Sequence, residues 1–393
     1  MRVLIAGIGE HKDFGLKSLQ AAGHFVGVMD LPHRIPVDLC DWWRASDGSV
    51  DSMLEAASAA DFTWDAVLCW AELSTDTARE VARKLGVPGT RMPEGRFRDK
   101  GLMHGRLRET GLPTPQLGVA RTLQECEHLA EGRFPVVVKP TDYGGSGGVQ
   151  VVTGPGGLGG AFDAAVALSA SGRVAVDRYA RGPEYSVESV TWAHGDTQVL
   201  AVTEKHLTRP PYCVEVGHVV PATLPDADRE ALVAATVAAL DALGMEAGVS
   251  HAEFRLTDEG PVLMEIAGRP AGGQIPRLVE LATGWNPYLA ELAAVVGERI
   301  VPGTPSAPYA AIRCFVGDGE TPFTHPVTPA NASSPPLLGT LRELRYSADE
   351  GTVHRVPRGL VDRLGYGIVA GDRAEVTAAL AVLSQGAEVY RGG

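Results

Sequence analysis

Residues 1–95 alternate between two hydrophobic periods. An apolar run over 3–6 leads through a turn at Gly7 and Gly9 to a helical spacing over 16–22, then to a second apolar run over 25–29 that ends at Asp30. A helix-like stretch over 52–60, an apolar run over 66–70 and a 3.6-residue period over 75–85 follow, stopped by Gly86, Val87 and Pro88. Short apolar runs alternating with helices predict β-α-β units, and those units predict a parallel, doubly wound sheet.

The pattern changes after that. A helix over 100–110 runs into Gly111-Leu112-Pro113-Thr114-Pro115, a rigid turn. Helix over 123–130, strand over 136–139, glycine turn over 144–148, strand over 149–152, helix over 160–170 and strand over 174–179 together suit a compact α+β lid. Longer alternating runs over 185–192 and 198–205 come next, with a helix over 227–243, strands over 251–256 and 261–266, and a helix over 274–283. Pro, Thr and Ser dominate a polar excursion within 303–336, and the chain closes with strands and a helix over 375–384. No solenoid repeat is present. The expected division is 1–95, 96–180 and 181–393, mixing α/β and α+β architecture.

Composition narrows the function. The chain has 393 residues, 45% hydrophobic and 21% charged, which is ordinary for a globular protein of two or three domains. Its net charge of −13 disfavours nucleic acid or an anionic membrane as a partner. Five widely spaced cysteines without a C-x-x-C suggest neither a disulfide framework nor a cysteine zinc site. The first apolar run is too short for a secretory segment, and the alanine-rich stretch over 232–249 is interrupted by Asp241 and Glu246. A soluble cytoplasmic protein is the expectation.

Five groups of residues carry candidate chemistry. Gly7-x-Gly9 followed by Asp30 has the look of a dinucleotide turn, but the third glycine falls at Gly15 and the G-x-G-x-x-G spacing fails, which leaves a plain tight turn as the alternative. Lys139 closes an apolar strand, and Gly144, Gly145, Ser146, Gly147 and Gly148 follow; one fixed cation beside several backbone N–H groups suits a phosphate, although the same pattern also makes a hairpin. The strand over 174–177 and the turn to Glu184 could sandwich a planar base and offer a carboxylate to ribose hydroxyls, or form a plain surface hairpin.

Glu253 and Glu265 lie on two strands joined by a short turn, so antiparallel pairing would bring two like charges together. A magnesium ion between them relieves that repulsion, a charged pair on a solvated sheet face being the alternative, and Arg269 four residues on suits a phosphoryl oxygen. Finally, Glu215 and His218, in a proline-flanked loop, can hold the ammonium and carboxylate of a zwitterion, although a structural histidine has the same pattern. Arg313, in a later strand, could pair with a substrate carboxylate or with a structural acid.

Taken in order, these residues resemble the ATP-grasp superfamily, in which a lid and a palm clamp ATP, and the resemblance spans nearly the whole chain. Glu204-Lys205-His206 and the segment over 214–222 look like the substrate region of its L-amino-acid ligase and dipeptide synthetase branch. The resemblance implies that Lys100 and Lys139 bind the α- and β-phosphates and that Gly144–Gly148 cover the β- and γ-phosphates. It also implies that Asp177, Arg178 and Ala180 meet adenine, that Glu184 takes the ribose, and that Glu253 and Glu265 hold two magnesium ions, for which manganese could substitute. Ala267 departs from the asparagine common two residues after the second glutamate, and Asp177 replaces the commoner glutamate at the hinge.

The function implied is an ATP-dependent carboxylate–amine ligase that joins small-molecule substrates through an acyl phosphate, working as a homodimer. Carboxylation through carboxyphosphate, dinucleotide-dependent redox chemistry at Gly7, Gly9 and Asp30, and a non-catalytic nucleotide-binding module are the alternatives.

Overall fold

The computed structural model describes residues 1–328, 331–333 and 335–384. The first layer comprises β1 (Arg2–Ala6), α1 (Asp13–Ala21), β2 (Phe25–Asp30), β3 (Trp42–Ala45), α2 (Val50–Ser58), β4 (Ala66–Leu68) and α3 (Thr75–Leu85). Its four strands are parallel in the order β3-β2-β1-β4. Val3, Leu4, Ile5 and Ala6 are all buried, as helices on both faces of a parallel sheet require. The expected helix over 75–85 is α3, which Gly86 ends in the left-handed region. Strand β3 was not expected, because Trp42-Trp43-Arg44-Ala45 is a mostly exposed edge with no apolar run.

The second layer follows α4 (Lys100–Glu109). It contains β5 (Gln116–Ala120), α5 (Leu123–Ala130), β6 (Val136–Pro140), β7 (Gln150–Val152), α6 (Leu158–Val166) and β8 (Val174–Arg178), with an antiparallel sheet in the order β5-β8-β6-β7. A reciprocal cap starts α5: Thr122 accepts the Glu125 N–H, and the Glu125 side chain returns to the Thr122 N–H.

The third layer is an eight-stranded antiparallel sheet. Its elements are β9 (Glu184–Ala193), β10 (Asp196–Leu207), β11 (Glu215–Val220), α7 (Asp226–Leu243), β12 (Gly248–Thr257), β13 (Gly260–Ala267), α8 (Ile275–Thr283), α9 (Pro287–Val296), β14 (Tyr309–Phe315), β15 (Leu341–Tyr346), β16 (Gly365–Gly371) and α10 (Arg373–Leu383). The strand order is β13-β12-β9-β10-β11-β14-β16-β15. Helices α8 and α9 cover one face through Leu278, Ala290, Val190 and Ile312. On the other face, α7 packs on Val187 and Phe254, and α10 packs on Ala311 and Val369.

Two expectations are corrected here. The segment carrying Glu215 and His218 is strand β11 rather than a loop, paired to β10 and β14. Residues 287–296, left unassigned, form α9, which Asn286 starts by accepting the Tyr288 and Leu289 N–H groups. Tyr288, Leu292 and Val295 of α9 join the core of the first layer beside Val3, Ile5 and Trp70. The expected polar excursion over 303–336 is interrupted by strand β14, the apolar run Tyr309–Phe315; the rest is irregular where described, and Pro329, Ala330 and Ser334 lie outside the described residues. Among the described residues no helix is long and apolar enough to cross a membrane.

Candidate active site

Strand ends from the second and third layers meet around a cavity of about 170 Å³. That is smaller than the ~300–1,000 Å³ usual for a bound organic ligand. Two contacts close it. Arg269 donates Nε–H to Glu72 Oε2 of the first layer at 2.5 Å, and Gly144 lies so near Glu72 that a Cβ there would sit 3.2 Å from its Cγ.

The cations enter from the lid side. Lys139 sits in the fully buried run of β6, so the strand drives its ammonium toward the cavity, where it lies 2.7 Å from Asp177 Oδ2 and 3.3 Å from the Met264 carbonyl. Lys100 follows the capping residue Asp99 at the start of α4, and its Nζ reaches Glu265 Oε1 at 2.7 Å and the Tyr143 carbonyl at 2.9 Å. Burial works against the Lys100 charge, but the Glu265 carboxylate outweighs it and the pKa is raised.

The acids enter from the palm. Antiparallel register places Glu253 opposite Glu265, as the spacing predicted. Lys205 on β10 makes the counter-charge: its Nζ donates to Glu184 Oε1 at 3.0 Å, Glu215 Oε1 at 2.6 Å and Glu253 Oε1 at 2.9 Å. All three protons of that ammonium are thereby used. His251 joins Glu253, at 2.9 Å from Nε2, to Glu188, at 2.9 Å from Nδ1.

Electrostatics separates the two facing glutamates. Burial would raise the Glu253 pKa, yet Lys205 and His251 hold it well below the usual range. At Glu265 burial prevails over Lys100, with Glu72 and Glu253 adding repulsion, so its pKa is raised. Glu215 is lowered to about 2 because the Lys205 charge, with help from Arg363, overcomes its burial. Burial holds His218 neutral, with a pKa lowered to about 3.

The pair Glu253 and Glu265 suits a hard cation such as magnesium. Both are oxygen donors lining one cavity, and their repulsion already recruits two ammonium groups. Carboxylate oxygens of Glu184, Glu215 and Glu253 also lie within 4.8 Å of one another, gathered around Lys205. Ala267 lines the cavity without offering a donor.

The structure brings together Lys100, Lys139, Gly144, Gly145, Ser146, Ala180, Glu184, Glu215, Glu253, Glu265 and Arg269. It places six other expected residues elsewhere. Gly147 lies over the Tyr143 ring and Gly148 against Ala164 and Ala165 of α6, so the far half of the loop anchors the lid rather than lining the cavity. Asp177 pairs opposite Val137, which puts it on the same sheet face as Lys139, buried in an ion pair; Arg178 is exposed, and Tyr179 lines the cavity instead.

His218 lies behind the wall, fully buried, with Nε2 3.6 Å from Glu215 Oε2 and close under Gly273. Arg313 departs furthest. Register pairs His218 with Ile312 and Gly217 with Arg313, so Arg313 is one residue out of phase and faces the opposite side of the sheet. That corrects its expected place beside the substrate.

Several lining residues were not singled out for a role: Glu72, Tyr143, Tyr179, His251 and Arg255. Lys205, quoted only within Glu204-Lys205-His206, carried a weak signal, since Glu204 and His206 on either side hide a buried lysine in a polar strand end. Glu72 had none, since nothing local ties it to a residue nearly two hundred positions away.

The glycine turn of the first layer is also settled. Asp30 Oδ2 accepts N–H from Ile8 at 2.8 Å and Gly9 at 3.1 Å, so those amides are already bound.

Comparison with known proteins adds the following. Residues 132–277 match the family model described as an ATP-grasp domain. Dapdiamide A synthase of Enterobacter agglomerans is 26% identical over 303 residues, covering 72% of this chain and 70% of that protein. Uncharacterized protein y4rH of Sinorhizobium fredii is 28% identical over 70% of this chain, which spans only 59% of that relative's length. The structure of an L-amino acid ligase from Bacillus licheniformis aligns over 100% of this chain and 99% of its own, with a TM-score of 0.81 at 19% identity.

Proposed function

We propose that this chain, whose residues 132–277 match an ATP-grasp domain, is an ATP-dependent carboxylate–amine ligase of that superfamily that forms an amide and releases ADP and phosphate. One observation carries the reading: Lys100, Lys139 and the near half of the glycine loop line one cavity with Glu253, Glu265 and Arg269. The similarity to D-alanine--D-alanine ligase of Geobacter sulfurreducens, 26% identical over 71% of this chain and 87% of that protein, supports an amino acid as a substrate.

In this reading the lid opens to admit ATP, and closure then excludes water. Lys100 and Lys139 take the α- and β-phosphates, the Gly144–Ser146 backbone covers the β- and γ-phosphates, the Tyr179–Ala180 segment meets adenine, and Glu184 accepts the ribose hydroxyls. Magnesium held by Glu253 and Glu265, as two ions, supplies charge neutralisation for phosphoryl transfer. A substrate carboxylate oxygen attacks the γ-phosphorus, the bond to the β-phosphate oxygen breaks, and ADP leaves. The amine nitrogen then attacks the acyl carbon, phosphate departs, and the amine proton is released.

Arg269 swings from Glu72 onto the transferring phosphoryl group and the later tetrahedral centre. Glu215, kept ionised by Lys205 and backed by neutral His218, holds the ammonium of an amino-acid substrate. Positioning does most of the work, because phosphoryl transfer asks little covalent chemistry of the protein.

The test is ADP release with Mg-ATP against single amino acids and pairs, with mass spectrometry of the products. Release that requires a pair, with a product of summed mass less water, is the expected outcome. Release that needs bicarbonate and no amine would replace the reading with carboxylation through carboxyphosphate. ATP binding without release for any carboxylate and amine would leave a nucleotide-binding module.

A further inference from the structure

Strand β10 is a partition. Lys205 points to the site described above, while Glu204 and His206 share the lining of a second cavity of about 620 Å³ on the opposite face of the sheet, beneath α10. That volume falls within the ~300–1,000 Å³ range of organic ligand sites.

Arg313 forms its charged wall. Across the sheet, His206 pairs with Gly217, Gly217 with Arg313, and Arg313 with Gly367. Glycines on both sides leave the guanidinium without a side-chain neighbour along its row. Arg313 is 4% exposed, and its Nη1 has no hydrogen-bond partner among the described residues. No carboxylate among the described residues pairs with it: Glu204 is engaged by His206 Nε2 at 3.1 Å; of the other lining cations, Lys205 gives its ammonium to the first cavity and Arg373 lies exposed on α10.

Burying a cation with no counter-charge among the described residues is costly, and an anion bound there would relieve that cost. A guanidinium is a planar two-pronged donor, matched to a single carboxylate. Across from it α10 presents Val376, Leu380 and Ala381 among the polar Arg373, Thr377 and Ser384, and Val219 adds an apolar side chain from the sheet itself. We propose that this second cavity binds an organic carboxylate with an apolar body, its two oxygens on Arg313 and its body beneath α10, separately from the nucleotide cavity.

The experiment is isothermal titration of the full chain with MgADP saturating the first cavity. The probes are straight-chain carboxylates from acetate to octanoate, 4-(4-bromophenyl)butanoate, the matching alcohol, and inorganic phosphate. One carboxylate per chain is expected to bind, tighter with length, with the alcohol and phosphate at least about tenfold weaker. Arg313→Gln should weaken binding at least about tenfold, and Arg269→Gln should leave it unchanged. Bromine anomalous scattering should lie between Arg313 and α10.

If Arg313→Gln fails to fold, Ala381→Trp fills the cavity from α10 with Arg313 intact, and should abolish binding. No binding across the series, undiminished affinity in a folded Arg313→Gln or Ala381→Trp chain, or bromine in the first cavity would overturn the proposal.

Discussion

Two glycine-rich turns follow apolar strands in this chain, and they meet opposite fates. At Gly7–Gly9 the Ile8 and Gly9 amides are taken by Asp30, whose other oxygen accepts the Leu31 N–H at 2.7 Å. A Cβ on Gly7 would meet Ser74 at 2.5 Å, so the turn is packed shut. At Gly144–Gly148 the backbone is held left-handed at Gly145, Ser146 and Gly148, and the Gly145 and Ser146 amides find no acceptor among the described residues. A left-handed serine costs of order 1–3 kcal/mol, which a fold retains at a working site more readily than at a spacer. Glycine content alone therefore does not identify an anion cradle. A carboxylate cap, or its absence, decides.

The comparison is broken most directly at the lid. Lys139→Met should lower kcat/KM for ATP by about 100-fold, about 2.7 kcal/mol of lost charge stabilisation, in steady-state assays of ADP release. A rate within about twofold of the parent chain would remove Lys139 from the nucleotide site. Glu265→Gln should lower turnover by at least about tenfold, the scale of one transition-state contact of about 1.4 kcal/mol. Unchanged turnover at saturating magnesium would count against the metal assignment.

At the capped turn the effect should move from rate to stability. Asp30→Ala strands three amides and should destabilise the chain by about 1–3 kcal/mol in urea titration, with turnover of the folded protein within about twofold. Titration with reduced nicotinamide should give no fluorescence change; saturable quenching would reopen that turn as a cofactor site.

The smallest effect concerns the seat of the first layer. Glu291 of α9 accepts from Trp70 Nε1 at 2.9 Å, and burial, resisted by that bond, raises its pKa to about 8. A carboxyl with a raised folded pKa contributes stability that is full below its ordinary value near 4.5 and is lost as pH rises toward 8. The melting temperature of the parent chain should therefore fall relative to Glu291→Gln by about 2 °C or more between pH 5 and 8. Lys12, lowered to about 7 chiefly by burial, is partly held up by the Glu291 charge, so the double comparison with Lys12→Met in both backgrounds isolates the Glu291 titration. A constant gap across that range would exclude Glu291 as the titrating group.

Legibility followed the physics of each segment. Helix α3 shows a polar face and an apolar face, and the sequence period locates it to the residue. Helix α9 is buried on almost every side, Glu291 included, so it has no polar face for a period to reveal. Strand β11 alternates, but Glu215, Gly217 and the following Pro221 disguise it as a loop. The glutamate pair was readable because a short turn ties the register of β12 to that of β13. No such tether links β11 to β14, which are separated by three helices and two strands, so the phase that turned Arg313 to the far face could not be read.

By itself the sequence determined the layered fold, the lysine and glycine run of the lid, and the facing glutamates, because each depends on residues close along the chain. The tertiary structure alone decided which amides remain free, that Lys205 holds three carboxylates at once, that Glu72 closes on Arg269, and that Arg313 serves a separate cavity. Each of those outcomes turns on register or docking between distant segments, where a shift of one residue exchanges the faces of a strand.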